Sequence, residues 1–337
     1  MKRLQSLSVL ICFFVIACTT TKQPLPIESG VAETLADYRK ANISDLEYQL
    51  QFDIPEVREE VIPGKNKITF NLKSLDQDLQ IDFREDASLI KAVISNGNES
   101  AYLFQSEHII IPKSELKVGQ NSIEIEFVAG NTSLNRNDEF LYTLFVPDRA
   151  RTAFPCFDQP NLKAKFQLEL SVPKTWKAMG NGKIESIKEE ANKNHYSFLT
   201  TKELPTYLFS FVAGKFETIT RERNGHKHTM YHRKTNSEEL RNNTDEIFRL
   251  LFQSLDWLED YTDLPYPFAK YDIVVIPSFQ YGGMEHTGAT LYNASKMFLD
   301  KDATKNSLLG RANLIAHETA HMWFGDLVTM KWFDQVW

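Results

Sequence analysis

What most constrains this chain is a change of period partway along it. From Leu46 to about Thr220 apolar residues recur at every second position: Tyr48, Leu50, Phe52 and Ile54; Ile68, Phe70 and Leu72; Leu79, Ile81 and Phe83; Ile123, Ile125 and Phe127; Phe166, Leu168, Leu170 and Val172. Successive side chains of a strand point to opposite faces, so each run reads as a strand with one buried face. Pro63-Gly64, Asn96-Gly97 and Gly180-Asn181-Gly182 supply turns between them. Many short alternating strands imply a mainly β domain over residues 45–222, an antiparallel saddle or sandwich. After about residue 235 the period becomes helical. Ile247, Leu251, Ser254, Leu255, Leu258 and Tyr261 recur at helical spacing, and Pro265 and Pro267 end that helix. Tyr271–Pro277 is then a continuous apolar run, as expected of a strand buried on both faces. Residues 223–337 therefore read as the start of an α/β domain.

The stretch that carries chemistry lies near the end. His317-Glu318-Thr319-Ala320-His321 places two histidines four residues apart. On a helix they stack on one face, so both imidazoles can reach one ion with Glu318 beside them. Ser307 is the expected helix cap and Gly325 the expected left-handed turn that ends it. Leu308, Ala312, Ile315, Ala316 and Trp323 are the expected core-facing side. Zinc suits neutral imidazoles, and a catalytic zinc takes three protein ligands, so a third must come from elsewhere. Upstream lies Gly282-Gly283-Met284-Glu285-His286. Its two glycines allow a backbone to approach closely, so the segment can lie along a peptide as an added strand.

The run His317–Thr329 resembles the aminopeptidase N family of zinc metallopeptidases, and the resemblance extends over most of the chain after residue 44. It implies a thermolysin-like catalytic domain that binds one zinc ion through His317 and His321, with Glu318 as general base. The family's third ligand is a Glu that would fall at position 340, three residues past Trp337. The chain is thus expected to be the N-terminal part of a longer enzyme, inactive alone. Gly282, Gly283, Met284 and Glu285 are similar to the family's substrate-binding G-x-M-E-N, with His286 in place of Asn. There the Glu holds the free α-amine of a peptide substrate. Ala153–Pro160 resembles the family's F-P-C-x-D-x-P segment, whose two prolines suggest a structural role. The relatives often carry a Q-x-E-like amine anchor upstream of it; here Leu144-Phe145-Val146 stands instead. The implied function is removal of N-terminal residues from peptides by metal-activated water. Two other readings stay open: a thermolysin-like endopeptidase, which would not need Glu285, and a non-catalytic, membrane-tethered peptide-binding lipoprotein.

The remaining features are simpler. Lys2 and Arg3 followed by the apolar run Leu7–Ala17 fit a signal peptide over residues 1–18, too short to span a bilayer. Val15-Ile16-Ala17-Cys18 resembles a bacterial lipoprotein signal, so Cys18 is the expected lipidation site. An exported, membrane-anchored protein of the cell envelope follows, with residues 19–44 as tether and short helix. With Cys12 removed and Cys18 lipidated, Cys156 is the one cysteine left and no disulfide framework is possible in these residues. His226, His228 and His232 invite a second metal site, but their charged hairpin surroundings favour a solvated turn. A net charge of −7 argues against a nucleic-acid partner.

Overall fold

The computed structural model describes residues 24–233 and 237–335, and the expected signal segment with Cys18 lies outside the described residues. Four of the five alternating runs lie in an eight-stranded sheet, and the fifth, at Leu79–Asp82, lies in a three-stranded one and is buried on both faces. The order of the eight-stranded sheet is Ile184–Glu189, Lys193–Phe198, Lys165–Pro173, Ile43–Asp53, Pro63–Leu72, Gly119–Val128, Ile90–Ser95 and Asn98–Glu99. The register carries one buried row across the centre: Phe166 lies opposite Tyr48, Tyr48 opposite Ile68, and Ile68 opposite Ile123. Within this sheet Ile43–Asp53 and Lys165–Pro173 run parallel, whereas the other neighbours are antiparallel. Parallel partners need a long crossover, and alternation alone cannot reveal one. A four-stranded sheet and a three-stranded sheet share the same apolar core.

The segment Ala153–Pro160 is buried inside this core and pinned by polar contacts. Asn66 Nδ2 donates to the Pro155 carbonyl at 2.7 Å, and the Phe157 N–H donates to Tyr48 Oη at 2.8 Å. Cys156 pairs its backbone with Asp82, and its thiol is free and buried. The expected short helix is α1, Glu33–Asn42. From it Arg39 reaches through the core to Asp82.

The second unit is built on a five-stranded sheet, ordered Glu217–Arg223, His226–His232, Ile273–Ile276, Thr290–Asn293 and Gly283–Met284. Its three central strands are parallel, and both outer strands are antiparallel to their neighbours. A boundary at 222/223 falls inside the first of these strands, all of whose pairing is to the second sheet. Helix α2, Ser237–Thr262, buries Ile247, Leu251, Leu255 and Leu258 as the spacing predicts. Tyr261 departs from that stripe: it is 67% exposed and stacks on Trp257 at 4.8 Å. Strand Ile273–Ile276 is buried on both faces. Val274 and Ile276 join the core of the β-rich unit, while Ile273 and Val275 join the core under the helices. That one strand therefore stitches the two cores together. After the one-turn helix α3, Ala294–Met297, comes α4, Lys305–Ala320. No helix among the described residues is long and apolar enough to cross a membrane.

Two expectations about α4 are corrected. Thr304 caps it, its Oγ1 accepting the Ser307 N–H at 3.2 Å, so Ser307 is a recipient of the cap rather than the cap. The buried side is Arg311, Ile315, Glu318 and Thr319, followed by Met322 and Trp323, whereas Leu308 and Ala316 face outward. Gly325 does adopt positive φ (+138°), but the regular helix stops earlier, at Ala320.

The three histidines of the hairpin are also placed differently from expectation. Asn224 and Gly225 form its positive-φ turn, and only His226 is solvated there. His228 and His232 are buried: Nδ1 of His228 lies 2.9 Å from the Tyr271 carbonyl, and His232 packs edge-on against Phe298. They build no metal site, since the one cluster of three candidate ligands among the described residues lies elsewhere.

Candidate active site

Helix α4 is held by its buried polar stripe. Thr319 Oγ1 donates to the Ile315 carbonyl at 2.7 Å and lies 3.2 Å from Tyr271 Oη. Trp323 Nε1 donates to the Leu264 carbonyl at 3.3 Å. These contacts rotate α4 so that Glu318 points inward while His317 and His321 remain open at the surface. The two imidazoles meet: Nε2 of His321 lies 3.1 Å from Nε2 of His317. Two nitrogen ligands on a tetrahedral zinc, each about 2.05 Å from it, stand roughly 3.3 Å apart. The separation of the pair is thus compatible with both nitrogens holding one zinc ion.

The glycine motif sits across from α4. Gly283–Met284 is the outermost strand of the five-stranded sheet, with Thr290–Asn293 on one side and no strand paired to its other edge among the described residues. Asn293 fixes the motif's entry: its N–H donates to the Gly282 carbonyl and its side chain to the Phe279 carbonyl. A Cβ at Gly283 would stand 2.4 Å from Glu318 Oε1. The first service of this glycine is therefore to make room for the Glu318 carboxylate. Beyond it, Glu285 brings a carboxylate oxygen within 4.8 Å of ligand atoms of both Glu318 and His321. The motif and the helix, separate in sequence, thus converge on one point.

The electrostatics of that point are unbalanced. Burial, reinforced by the charge of Glu285, pushes the Glu318 carboxyl up to about 8. Burial and the neighbouring His321 lower His317, with Glu285 acting in the opposite sense. A cation held by the two imidazoles would bring Glu318 back down and would favour the same neutral form of His317 that burial already favours, because a bound ion is the largest local charge. Among Glu285, Glu318 and His321, the carboxylate of Glu318 is the deepest, 4% exposed. Its placement suits a proton acceptor beside the ion better than a ligand, and the close His317–His321 pair suits the ion.

Several buried groups around the site escaped sequence reasoning. Asp326 is 1% exposed, neither carboxylate oxygen has a hydrogen-bond donor, and burial raises its pKa well above the usual carboxylate range. His286 is fully buried with neither ring nitrogen bonded, and burial lowers it to about 3. Arg311 is 4% exposed. The helical spacing held a signal for Arg311: four and seven residues before Ile315 and Glu318, it falls on the same inward stripe. Leu144 and Phe145 are core residues, Phe145 packing against Phe154 and Phe209, so they offer no polar anchor.

A helix-borne H-E-x-x-H facing the open edge of a mixed sheet places the second unit in the thermolysin-like class of catalytic units. The chain belongs to peptidase family M1. Residues 44–208 match the Peptidase M1 N-terminal domain, and residues 248–337 match the Peptidase family M1 domain. It is 34% identical to aminopeptidase N of Streptomyces lividans over 268 residues, which are 74% of this chain and 30% of that protein. Likeness to probable aminopeptidase 1 of Sulfurisphaera tokodaii is 33% over 259 residues, 74% of this chain and 32% of the relative. Glutamyl aminopeptidase of Sus scrofa is 30% identical over 330 residues, 88% of this chain and 34% of the relative. The chain spans about a third of the length of these relatives.

Proposed function

We propose that this chain carries the metal-binding and substrate-anchoring part of a zinc-dependent aminopeptidase. The observation that carries the reading is the convergence of Glu285 on Glu318 and His321, with His317 against His321, beside a strand edge that pairs with no other strand among the described residues. A peptide can add to the edge at Gly283–Met284 as a further strand. Glu285 then pairs with its α-amine, and a charge-assisted bond at that position favours chains that begin there over internal segments. His317 and His321 would hold zinc through Nε2. When bound, the ion supplies polarisation of the scissile carbonyl and a lowered pKa for water. Glu318 accepts the proton of the attacking water and hands it to the leaving amine.

The third ligand is proposed to be the Glu expected at position 340. Residues 1–337 alone should then hold zinc at least 10–100-fold more weakly than a chain that includes it, the loss typical even of an outer partner, and should show no turnover. Leu144 and Phe145, buried where relatives are polar, favour the endopeptidase as the second reading. A chain extended through the catalytic domain separates the two. Free alanyl peptides should be hydrolysed and N-acetylated ones not, chelation should abolish turnover, and zinc should restore it. Glu285→Ala should cost about 2–5 kcal/mol in kcat/KM, the scale for truncating one partner of a buried charge pair. Equal rates on free and acetylated peptides would leave the endopeptidase standing.

Cys18 is further proposed to anchor the exported protein to a bacterial membrane through a lipid. Stable anchoring needs more than one acyl chain, as a lipoprotein cysteine provides. Membrane fractionation that is unaltered by Cys18→Ser would refute it.

A further inference from the structure

A cavity of about 630 Å³ opens beside the histidine pair. Its wall includes Gly282, Lys296, Arg311, Asn313, Leu314 and His317. Its position follows from the direction of the glycine strand. The order Glu285, Met284, Gly283, Gly282 leads from the proposed amine anchor, past the histidines, to the cavity mouth at Gly282. A peptide whose amine rests on Glu285 and whose first carbonyl faces His317 and His321 would, running against the glycine strand, send its second residue toward this space, which Gly282 and His317 both line.

The charge on the wall is only partly compensated, because Glu246, the carboxylate whose charge reaches Arg311, is itself paired with Arg249. Arg311 is almost wholly buried, yet no carboxylate pairs with it among the described residues. Its Nη1 donates only to the neutral acceptors Asn243 Oδ1, at 2.5 Å, and the Met297 carbonyl, at 3.1 Å, and its Nε has no acceptor. Lys296, at the cavity's outer lip, is exposed and also forms no ion pair among the described residues. Burying a guanidinium with no ion-pair partner of its own is costly, and an anion entering the cavity would offset part of that cost. An adjoining cavity carries Asp300 and Asp302 on its wall, so the preference for an anion stops there.

We infer that Arg311 and Lys296 make the cavity a carboxylate-selective subsite for the residue that follows the scissile bond. This rests on the aminopeptidase reading. The carboxylate has two possible sources: the side chain of an acidic second residue, or the terminal carboxylate of a dipeptide. Arg311 and Lys296 bind substrate here and take no part in proton transfer.

The test uses the complete, zinc-loaded chain. Its substrates are Ala-Glu, Ala-Gln and Ala-Lys as C-terminal amides, with Ala-Ala as free acid and as amide. The expected result is a preference of roughly tenfold in kcat/KM for Ala-Glu-amide over Ala-Gln-amide, the order of one partly exposed charge pair, with Ala-Lys-amide lowest. A like gain for Ala-Ala acid over its amide would assign the subsite to dipeptide termini as well. Lys296→Glu should lower the Glu/Lys ratio by at least that factor, mainly through KM. Dissociation constants of the same peptides on Glu318→Gln protein should move in parallel. Arg311→Gln should erase the preference; if that variant does not fold, Lys296→Glu alone decides. Equal rates for the three amides, or a preference untouched by Lys296→Glu, would overturn the inference. Cleavage of N-acetyl-Ala-Glu-amide at the rate of the free peptide would instead overturn the aminopeptidase reading beneath it.

Discussion

Asp82 in the β-rich unit and Glu318 in the catalytic unit are both buried carboxylates, 0% and 4% exposed. Asp82 receives two bonds from Arg39, lies 2.9 Å from His108 Nδ1, and accepts the Asp158 N–H at 2.8 Å. Burial pushes its pKa up, but Arg39 and His108 outweigh burial and bring it down to about 2. Glu318 has no such partners among the described residues, and burial together with Glu285 drives it to about 8. The surroundings of the two carboxylates differ in detail. Around Asp82, His108 is anchored on the Glu28 carbonyl, and Thr206 donates to Asp158. Around Glu318, the oxygens of Asp326, the ring of His286 and Nε of Arg311 have no hydrogen-bond partner among the described residues, and beside Asp82 Nε of Arg39 and Oε1 of Gln80 lack one too. Buried polar groups are normally paired, and a satisfied network rigidifies a fold. A concentration of unpaired ones in a cleft marks the place where a ligand is expected. Buried atoms without a hydrogen-bond partner occur in both units, Asn66 Oδ1 and Trp176 Nε1 among them in the β-rich one; what separates the units is that the carboxylate of Asp82 is paired and that of Glu318 is not.

The sharpest way to break that comparison is to neutralise one carboxylate from each side. In the complete chain Glu318→Gln should lower turnover about 10²–10⁴-fold, the contribution of a general base. Metal-free stability should hold or rise, because the amide no longer opposes Glu285. Asp82→Ala should do the reverse, costing about 3–5 kcal/mol of stability by stranding Arg39, while activity per folded molecule persists. The acid limb follows from the same linkage. A carboxyl lowered to about 2 from 3.8 contributes stability that is fully present above about pH 4. That contribution disappears as pH falls toward 2, and it should be missing from the acid denaturation curve of Asp82→Ala. If Glu318→Gln proved the destabilising change and Asp82→Ala the silent one, the division between the two units would be wrong.

Sequence patterning reached the two units unequally for the same reason. Tyr48, Ile68, Ile123 and Phe166 are apolar and inward, so alternation exposes them, and register then follows from burial. The two-faced strand Ile273–Ile276 was legible as an unbroken apolar run. H-E-x-x-H was legible because its spacing is purely local. What hydrophobicity could not show is a helix whose buried side is polar. Arg311, Glu318 and Thr319 are inward on α4 while Leu308 and Leu309 are 46% and 57% exposed. A search for an apolar stripe therefore found Ile315 and Trp323 but wrongly added Leu308 and Ala316. The cap was misplaced by three residues because Thr304 and Ser307 both carry hydroxyls, which lie 3.0 Å apart. His228 and His232 look solvated in sequence, since neighbouring charges hide the fact that their strand is covered by other elements.

The smallest expected effect gives the finest test of how the glycine motif and α4 interlock. Gly283 and Gly310 belong to the same unit and differ in what surrounds them. A Cβ at Gly310 meets nothing within 4 Å, whereas at Gly283 it would meet Oε1, Cδ and Cγ of Glu318 at 2.4, 2.5 and 2.6 Å. Gly310→Ala, in the middle of α4, should stabilise by about 0.5–1 kcal/mol through helix propensity, with kcat unchanged. Gly283→Ala should destabilise by about 1–3 kcal/mol, as overpacking does. It should also lower kcat by roughly 10²-fold, because a displacement of about 1 Å in a catalytic group is enough for that. Since Ala adds no charge and removes no ligand, zinc content should not change. The double variant Gly283→Ala/Glu318→Gln shows whether the loss runs through Glu318: with the base already gone, the alanine should cost little further turnover. Losses that multiply in full would mean that Gly283 acts on the substrate backbone alone, as its place on the strand edge first suggests, and not on the position of Glu318.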